Sequence, residues 1–170
     1  MKLISAEFEN FTLLKDVMIN FSTDSKKNIT VIRGANDSGK TMMLTALQWC
    51  LFGSEALPVS HQNKYRISPL DMDGSVNISV EVRFEHENHN KTTDEYLATR
   101  TIVEQPDKGS STYPKSNEKF HLSLISDGGN SSLILNMIAL NTGWYYTFKK
   151  VSKNKTSLSY IKSNKNTSSI

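Results

Sequence analysis

Cysteine is nearly absent from this chain, since Cys50 is the single one among 170 residues. One thiol excludes an intramolecular disulfide framework and a paired-cysteine metal site, and it indicates a reducing, intracellular setting. No apolar run approaches the roughly 18 residues that span a bilayer. The first ten residues also lack the basic-then-apolar layout of a signal peptide. We therefore expect a soluble, cytoplasmic protein with no membrane contact.

The sequence also lacks a strong charge of either sign, because its formal net charge is only +3. No acidic residue follows Asp127, whereas six lysines do, which leaves −3 for the rest of the chain: Lys149, Lys150, Lys153, Lys155, Lys162 and Lys165. The body of the chain should therefore have no global attraction for nucleic acid. The basic end, with Tyr145, Tyr146 and Tyr160, offers groups that pair with phosphates and stack on bases. Its Ser, Lys, Asn and Thr content favours a solvated, disordered tail instead.

Alternating apolar and polar side chains predict strands with one buried face. The alternation runs through residues 4–8 and 17–21, which are joined around 10–16. It returns strictly over 76–84 and again at 120–124, with a probable partner strand at 95–103 between them. The middle of the chain is therefore predicted to be an antiparallel β meander.

A different pattern lies between these two groups of strands. Residues 29–32 (ITVI) are nearly continuous and β-branched, which is typical of a central strand covered on both faces. Helical spacing of Met43, Leu47 and Cys50 then predicts a helix that begins after Gly39 and stops at Gly53. Strand, glycine loop and helix indicate an α/β, P-loop NTPase fold with a mixed sheet and an antiparallel meander.

Residues 34–41 (GANDSGKT) match the spacing G-x-x-x-x-G-K-[ST] of a phosphate-binding loop. Glycines at 34 and 39 permit a close backbone approach that a Cβ would block, so N–H groups can surround phosphate oxygens at a helix N-terminus. Lys40 is expected to bridge the β- and γ-phosphates of ATP, as the candidate catalytic residue, and the Thr41 hydroxyl to ligate Mg²⁺. The candidate nucleotide-binding residues are Gly34, Asn36, Asp37, Ser38, Gly39, Lys40, Thr41 and Met42.

The residues MKLISAEFENF, a short hairpin, and then ITVIRGANDSGKTMMLTALQWCLFG resemble the opening of the SMC, RecF and related coiled-coil ABC ATPases, including DndD-like and anti-phage SMC-like proteins. Asn36 matches the asparagine of that family's loop, and the resemblance covers roughly residues 1–105. It implies the N-terminal lobe of an ABC ATPase head that binds ATP and Mg²⁺ and serves DNA repair or anti-phage defence. It also implies DNA contact and, as partner, a second head or complementary lobe that hydrolysis requires.

Two loop positions depart from that family's pattern. Asp37 stands where glycine is usual, and Met42 stands where a second Ser or Thr often contacts the α-phosphate, so we expect weaker ATP binding. The family's signature loop, acidic pair and switch histidine are not recognisable here. Leu122–Asp127 (LSLISD) is the nearest acidic-strand match, but Gly128 follows where a catalytic glutamate belongs.

The remaining expectations concern boundaries and weaker motifs. We expect a truncated ATPase lobe over 1–130 and a divergent end with a basic, disordered tail over 131–170, with poor ATP turnover by the chain alone. A non-catalytic nucleotide-binding or interaction module is the alternative, and a small P-loop kinase or GTPase is a more distant one. Several isolated residues match fragments of functional motifs, but we expect them to be ordinary surface or turn residues. They are Gln48 and Gln105 as candidates for the family's glutamine loop, Asp71–Gly74 as a D-x-x-G motif, His86 and His89 as an H-x-x-H metal motif, and the single histidines His61 and His121.

Overall fold

One antiparallel sheet contains most of the chain in the computed structural model. The structure describes residues 1–57, 65–87, 91–106, 109, 111–125, 131–140, 143–152 and 155–162, with Glu55 and the last three ranges as backbone only. Its strands are β1 (Lys2–Phe11), β2 (Leu14–Asn20), β3 (Val76–Glu87), β4 (Thr93–Glu104), β5 (Lys115–Ile125), β6 (Ser131–Leu140), β7 (Gly143–Ser152) and β8 (Lys155–Lys162). They lie in the order β2-β1-β3-β4-β5-β6-β7-β8. The helix α1 (Lys40–Phe52) and a 3₁₀ turn (Ser54–Ala56) stand between β2 and β3.

The register of the sheet explains the alternation in the sequence. Phe8 lies opposite Val80, and Val80 lies opposite Arg100, so these side chains share one face. That face carries the apolar set and packs against α1, whereas the intervening polar residues point to the other side. The hairpin at the start of the chain and the antiparallel meander predicted for its middle are confirmed.

The core lies between α1 and the three strands β1, β3 and β4. Ala46, Trp49 and Cys50 are the helix residues that are fully buried against the sheet, where they meet strand side chains such as Phe8 and Val82. The rings of Phe11 and Trp49 lie 5.5 Å apart. The helix predicted after Gly39, with a stop at Gly53, is confirmed by α1. Packing of this one face fixes the position of the helix N-terminus relative to the sheet.

A buried arginine joins the other end of α1 to the sheet. The Arg100 guanidinium donates from Nε to the Cys50 carbonyl at 2.9 Å and from Nη1 to Glu118 Oε1 at 2.8 Å. It also lies over the ring of Phe120, 4.8 Å from the centroid. Because the last carbonyls of a helix have no intrahelical donor, Arg100 satisfies one of them from the sheet.

The strand expected at 29–32 is wrong. Residues 24–39 form no strand, and Ile29 and Val31 are 79% and 69% exposed. A central strand needs hydrogen-bonded neighbours on both sides, and in the described ranges every strand pairing is antiparallel and leaves this segment out. The parallel component of the predicted mixed sheet is therefore missing from the described part of the chain. Residues 29–32 are called the apolar segment below.

A disordered tail was expected at the basic end of the chain, whereas the structure describes backbone strands over part of that end. The backbone of β6, β7 and β8 pairs in antiparallel register, with Leu135 opposite Phe148 and Lys149 opposite Leu158. Amino-acid composition is a poor predictor of such strands, because pairing with a neighbouring strand satisfies the backbone hydrogen bonds whatever the polarity of the side chains. Residues 163–170, at the end of the predicted tail, lie outside the described residues.

Candidate phosphate-binding site

An open cleft of about 620 Å³ lies where the glycine loop meets α1. Its lining consists of the loop and first helical residues 36–42 together with Leu13, from the turn between β1 and β2. The sheet core holds the helix from below, so the cleft sits at the end of a fixed element while the loop above it is exposed. The structure thus brings the predicted residues from Asn36 to Met42 together at one surface.

The backbone of the loop adopts conformations that restrict its residues. Gly39 has a φ of 87° and precedes the helix, where a Cβ would lie 3.4 Å from Leu14 Cδ2. At Gly34, an added Cβ would collide with the Ser38 side chain. Asp37 has a φ of 61°, in the left-handed region that glycine favours and that aspartate tolerates better than most residues. This positive φ explains why glycine is usual at this position in the related family. Aspartate can adopt the same conformation, so Asp37 is tolerated there.

The N-terminus of α1 is open toward this cleft. Gly39 is the residue before the helix, no side chain caps it, and the first turn contains no acidic residue. The first N–H groups of a helix have no intrahelical acceptor and carry a partial positive charge. Met43 is the first helical residue whose N–H returns to the loop, donating to Gly39 O at 2.9 Å. The arrangement leaves donors for an anion.

Lys40 is folded back over the loop that precedes it. Its Nζ donates to Gly34 O at 2.8 Å, to Ala35 O, and to Ser38 Oγ at 3.5 Å. The side chain is exposed, so these are exchangeable contacts at the surface. An ammonium group held over a ring of loop carbonyls can turn a short distance to a phosphate oxygen, which is a stronger, charge-assisted acceptor. Lys40 therefore stands next to the donors at the helix end.

The groups present fit a Mg²⁺-bound phosphate chain. Gly39 lines the cleft with a positive φ, the uncapped helix end supplies N–H donors, and Lys40 supplies a positive charge. Thr41 is exposed at the start of the helix, as a hydroxyl ligand of Mg²⁺ must be, and its carbonyl accepts from Thr45 Oγ1 at 3.0 Å. Met42 Sδ accepts a hydrogen bond from the Tyr65 hydroxyl at 3.6 Å. The individual roles assigned to the loop residues from sequence stay predictions.

The described residues of the weaker sequence motifs do not line this cleft. Gln105 follows β4 and donates its N–H to Pro114 O at 2.9 Å, and Gln48 is exposed on α1. Leu122 to Ile125 belong to β5, which pairs antiparallel with β4 and β6, while Asp127 and Gly128 lie outside the described residues. The strand that the alternation over 120–124 predicted is confirmed.

Two residues of the other motifs, Asp71 and His86, lie at exposed positions. Asp71 forms an exposed ion pair with Lys15, which lowers the pKa of its carboxyl chiefly through that hydrogen bond. His86 is exposed at the end of β3, and His61 and His89 lie outside the described residues. Burial, followed by the charge of Lys119, lowers the pKa of His121 in β5. No cluster of metal-ligating side chains occurs among the residues that the structure describes.

Cys50 is buried beneath the sheet, as expected for a structural thiol. Its Sγ lies 3.3 Å from Val80 O and 3.6 Å from Ala98 O, positions at which the S–H group can donate. Burial raises the pKa of this thiol to about 12, although the nearby Arg100 charge opposes the rise. A thiol with so high a pKa is unreactive at neutral pH.

Leu13 is the lining residue that sequence reasoning missed. It belongs to a β-hairpin turn 21 positions before Gly34, so neither spacing nor alternation connects it to the loop. The available signal was weak: two consecutive leucines, Leu13 and Leu14, of which alternation can bury only one. Leu14 is buried against Gly39, and Leu13 remains exposed in the cleft.

Comparison with known proteins extends the resemblance along the chain. Residues 6–167 match a family model described as an AAA domain, which reaches beyond the 1–105 that the motifs covered. A similar protein is the DNA double-strand break repair Rad50 ATPase of Methanococcus maripaludis, which is 37% identical over 79 residues. That match covers 46% of this chain and 7% of the relative, so the chain spans a small fraction of the curated protein it matches. In the described residues, no helix has the length and apolar character needed to cross a membrane.

Proposed function

Because the chain belongs to the AAA domain family, we propose that it is the ATP–Mg²⁺-binding N-terminal part of an SMC/Rad50-type ATPase. The observation that carries the proposal is the uncapped N-terminus of α1 with Lys40 beside it, at the end of a glycine loop of matching spacing. This combination supports binding of a phosphate chain. Family membership supports ATP as the nucleotide.

Each loop residue has a proposed task. Backbone N–H groups of residues 36–42 surround the phosphate oxygens, and Lys40 leaves the carbonyls of Gly34 and Ala35 to bind the terminal phosphates. The Thr41 hydroxyl ligates Mg²⁺, which when bound offsets the negative charge of the β- and γ-phosphates. Asp37 is the acidic residue in the lining of the cleft. Its charge opposes the triphosphate, so we expect binding that is weaker than in relatives with glycine there.

The exposed apolar segment supports a partner that completes the domain. Ile29 and Val31 are among the most exposed large apolar side chains of the described residues, and the helix residue Leu44 is exposed as well. Exposed apolar surface next to a functional site indicates an interaction surface. We propose that a complementary lobe or second ATPase head covers it, and that hydrolysis requires this partner. On this proposal the chain alone turns ATP over poorly.

The wider setting follows from the relatives and is part of the same proposal. The similar Rad50 ATPase is a DNA double-strand break repair protein, and the sequence also resembles anti-phage SMC-like proteins. We propose a cytoplasmic role in DNA repair or anti-phage defence, with DNA contacted by the assembled complex. Residues 1–130 would form the nucleotide-binding lobe, with 131–170 as its divergent extension.

Calorimetric titration of MgATP into the full chain tests the proposal. Lys40→Ala should abolish measurable binding while circular dichroism shows an unchanged fold. Lys26→Ala is the matched control, because Lys26 is an exposed lysine outside the cleft and its removal costs the same charge. Unchanged MgATP affinity in a folded Lys40→Ala chain would contradict the assignment. Steady hydrolysis by the parent chain alone would contradict the need for a partner.

A further inference from the structure

Residues 65–69, called the anchored segment below, have no regular secondary structure but are fixed by buried hydrogen bonds. Two of their N–H groups donate to the Glu104 carboxylate, that of Ser68 at 2.7 Å. Lys115 Nζ lies 3.1 Å from Glu104 Oε1 and donates to the Tyr65 carbonyl at 2.7 Å. The side chains of this ion pair are 0% and 5% exposed, and a buried pair needs such further hydrogen bonds to offset its desolvation. The backbone at Tyr65 is therefore held on the sheet.

The Tyr65 side chain reaches from the anchored segment to the first turn of α1. Its hydroxyl donates to Met42 Sδ at 3.6 Å. Burial raises the pKa of this hydroxyl, so it stays a donor at neutral pH. Met42 is half-buried and lines the phosphate-binding cleft, whereas Tyr65 is not part of that lining. Because methionine has three rotatable bonds, the hydrogen bond joins a fixed donor to a flexible side chain.

We infer that Tyr65 is a positioning residue for the nucleotide cleft, which holds the Met42 side chain against the cleft wall. This role rests on the proposed function, because it requires that the phosphate chain lie in this cleft. Without the hydroxyl, the Met42 thioether is free to enter the space that the ligand occupies. A bound phosphate chain would then have to exclude those conformations, and restricting a mobile side chain on binding costs affinity. Tyr65 thus acts on the ligand through Met42 and touches neither the phosphates nor Mg²⁺.

The Met42 side chain determines how much the Tyr65 hydroxyl matters. Tyr65→Phe removes that hydroxyl alone, and losing a hydrogen bond to a weak acceptor should weaken MgATP binding by about threefold. In a Met42→Ala chain there is no thioether to hold, so adding Tyr65→Phe should cause no further change in MgATP affinity. If Tyr65 supported the fold in a general way, the loss would be equal in both backgrounds.

Calorimetry with MgATP on the full chain, combined with NMR of isotope-labelled methionine methyl groups, tests this role. In the parent, the Met42 methyl resonance should lie away from the averaged position of a mobile side chain, and Tyr65→Phe should move it toward that position. Met42→Ala identifies the resonance by its absence. The resonance of Met18, which is 63% exposed on β2, should not respond. Tyr96→Phe is the matched control and should keep the parental affinity, because the Tyr96 hydroxyl lies 3.5 Å from Asp94 Oδ2 and outside the cleft.

Failure of this role and failure of the proposed function give different results. An averaged Met42 resonance in the parent, or parental MgATP affinity in a folded Tyr65→Phe chain, would overturn the role of Tyr65. Equal losses from Tyr65→Phe with and without Met42→Ala would overturn it as well, because Tyr65 would then act through another contact. If the folded parent does not bind MgATP, or if its binding survives Lys40→Ala, the proposed function itself is wrong. The methyl resonance would still show in that case whether Tyr65 holds Met42.

Discussion

The sheet beneath α1 and the loop in front of α1 differ in how their polar groups are satisfied. In the sheet, β1, β3, β4 and β5 pair over long registers, and the buried charges of Arg100 and Glu118 meet each other. Residues 29–39 pair with no strand, and their large apolar side chains are exposed. The helix N-terminus that follows them is uncapped. Stability comes from the first region, and the proposed phosphate binding would use the groups that the second region leaves unpaired.

Breaking the sheet core should have the largest effect on stability. Arg100→Ala removes the ion-pair partner of the buried Glu118, which keeps its hydrogen bond with Ser54, and leaves a helix carbonyl without its donor. We expect a loss of about 3–5 kcal/mol in the free energy of unfolding. Urea denaturation measures it. Arg83→Ala is the control, since Arg83 pairs with Glu95 at a much more exposed position and should cost less than about 1 kcal/mol. Equal losses in the two variants would remove the distinction between a buried and an exposed pair.

On the loop side, Asp37 is expected to have the next largest effect. Asp37→Asn removes the charge but keeps a side chain that tolerates a positive φ, and it should tighten MgATP binding by about tenfold. Asp37→Gly should bind similarly and should also unfold at a higher temperature. Titration calorimetry and thermal melts separate the two contributions. A weaker affinity in both variants would show that the carboxylate assists binding.

Relief of strain in the β1–β2 turn should produce a smaller gain in stability. Thr12→Gly removes an unfavourable φ and a buried hydroxyl that has no partner in the described structure. The larger chain entropy of glycine in the unfolded state offsets part of this gain. We expect the free energy of unfolding to rise by about 1 kcal/mol. Asn10→Gly is the comparison, because asparagine tolerates its φ of 54° and little should be gained. Equal melting temperatures for Thr12→Gly and the parent would mean that the turn is unstrained.

The smallest expected effect lies on the sheet face away from α1. Burial, and then the charges of Glu7 and Glu9, raise the pKa of Glu81, while a hydrogen bond from Thr99 opposes the rise. A carboxyl with a raised pKa in the folded state destabilises it when ionised, so the penalty is present above the folded pKa and absent below the ordinary glutamate value. Glu81→Gln should therefore raise the melting temperature at pH 7, with the difference from the parent shrinking toward pH 4. A constant difference across that range would contradict this origin.

Sequence reasoning succeeded where the pattern that defines an element lies within one continuous stretch of the chain. Alternation located the start of the chain and the meander, and helical spacing located α1 up to Gly53. The loop residues could be proposed because the phosphate-binding pattern restricts spacing and residue type together, and their roles stay predictions.

The failures have physical causes in contacts that a single sequence does not display. The apolar segment reads as a central strand because it has the composition of one, but a strand forms only when a neighbour supplies its hydrogen bonds. Residues 152–170 have the composition of a segment that forms no core, yet pairing between neighbouring strands, as in the backbone of β8, needs little side-chain burial. Leu13 was missed because its neighbour in space, Gly39, is distant along the chain.

Hydrogen–deuterium exchange on the full chain, with and without MgATP, tests the division between the two regions most directly. We predict slow exchange in β1, β3 and β4, fast exchange across residues 27–39, and a nucleotide-dependent slowing confined to the loop and the first turn of α1. The apolar segment should stay fast in both conditions, because ATP does not replace its missing neighbour. Slow exchange across residues 29–32 without nucleotide, or no change at residues 36–42 with it, would contradict the account.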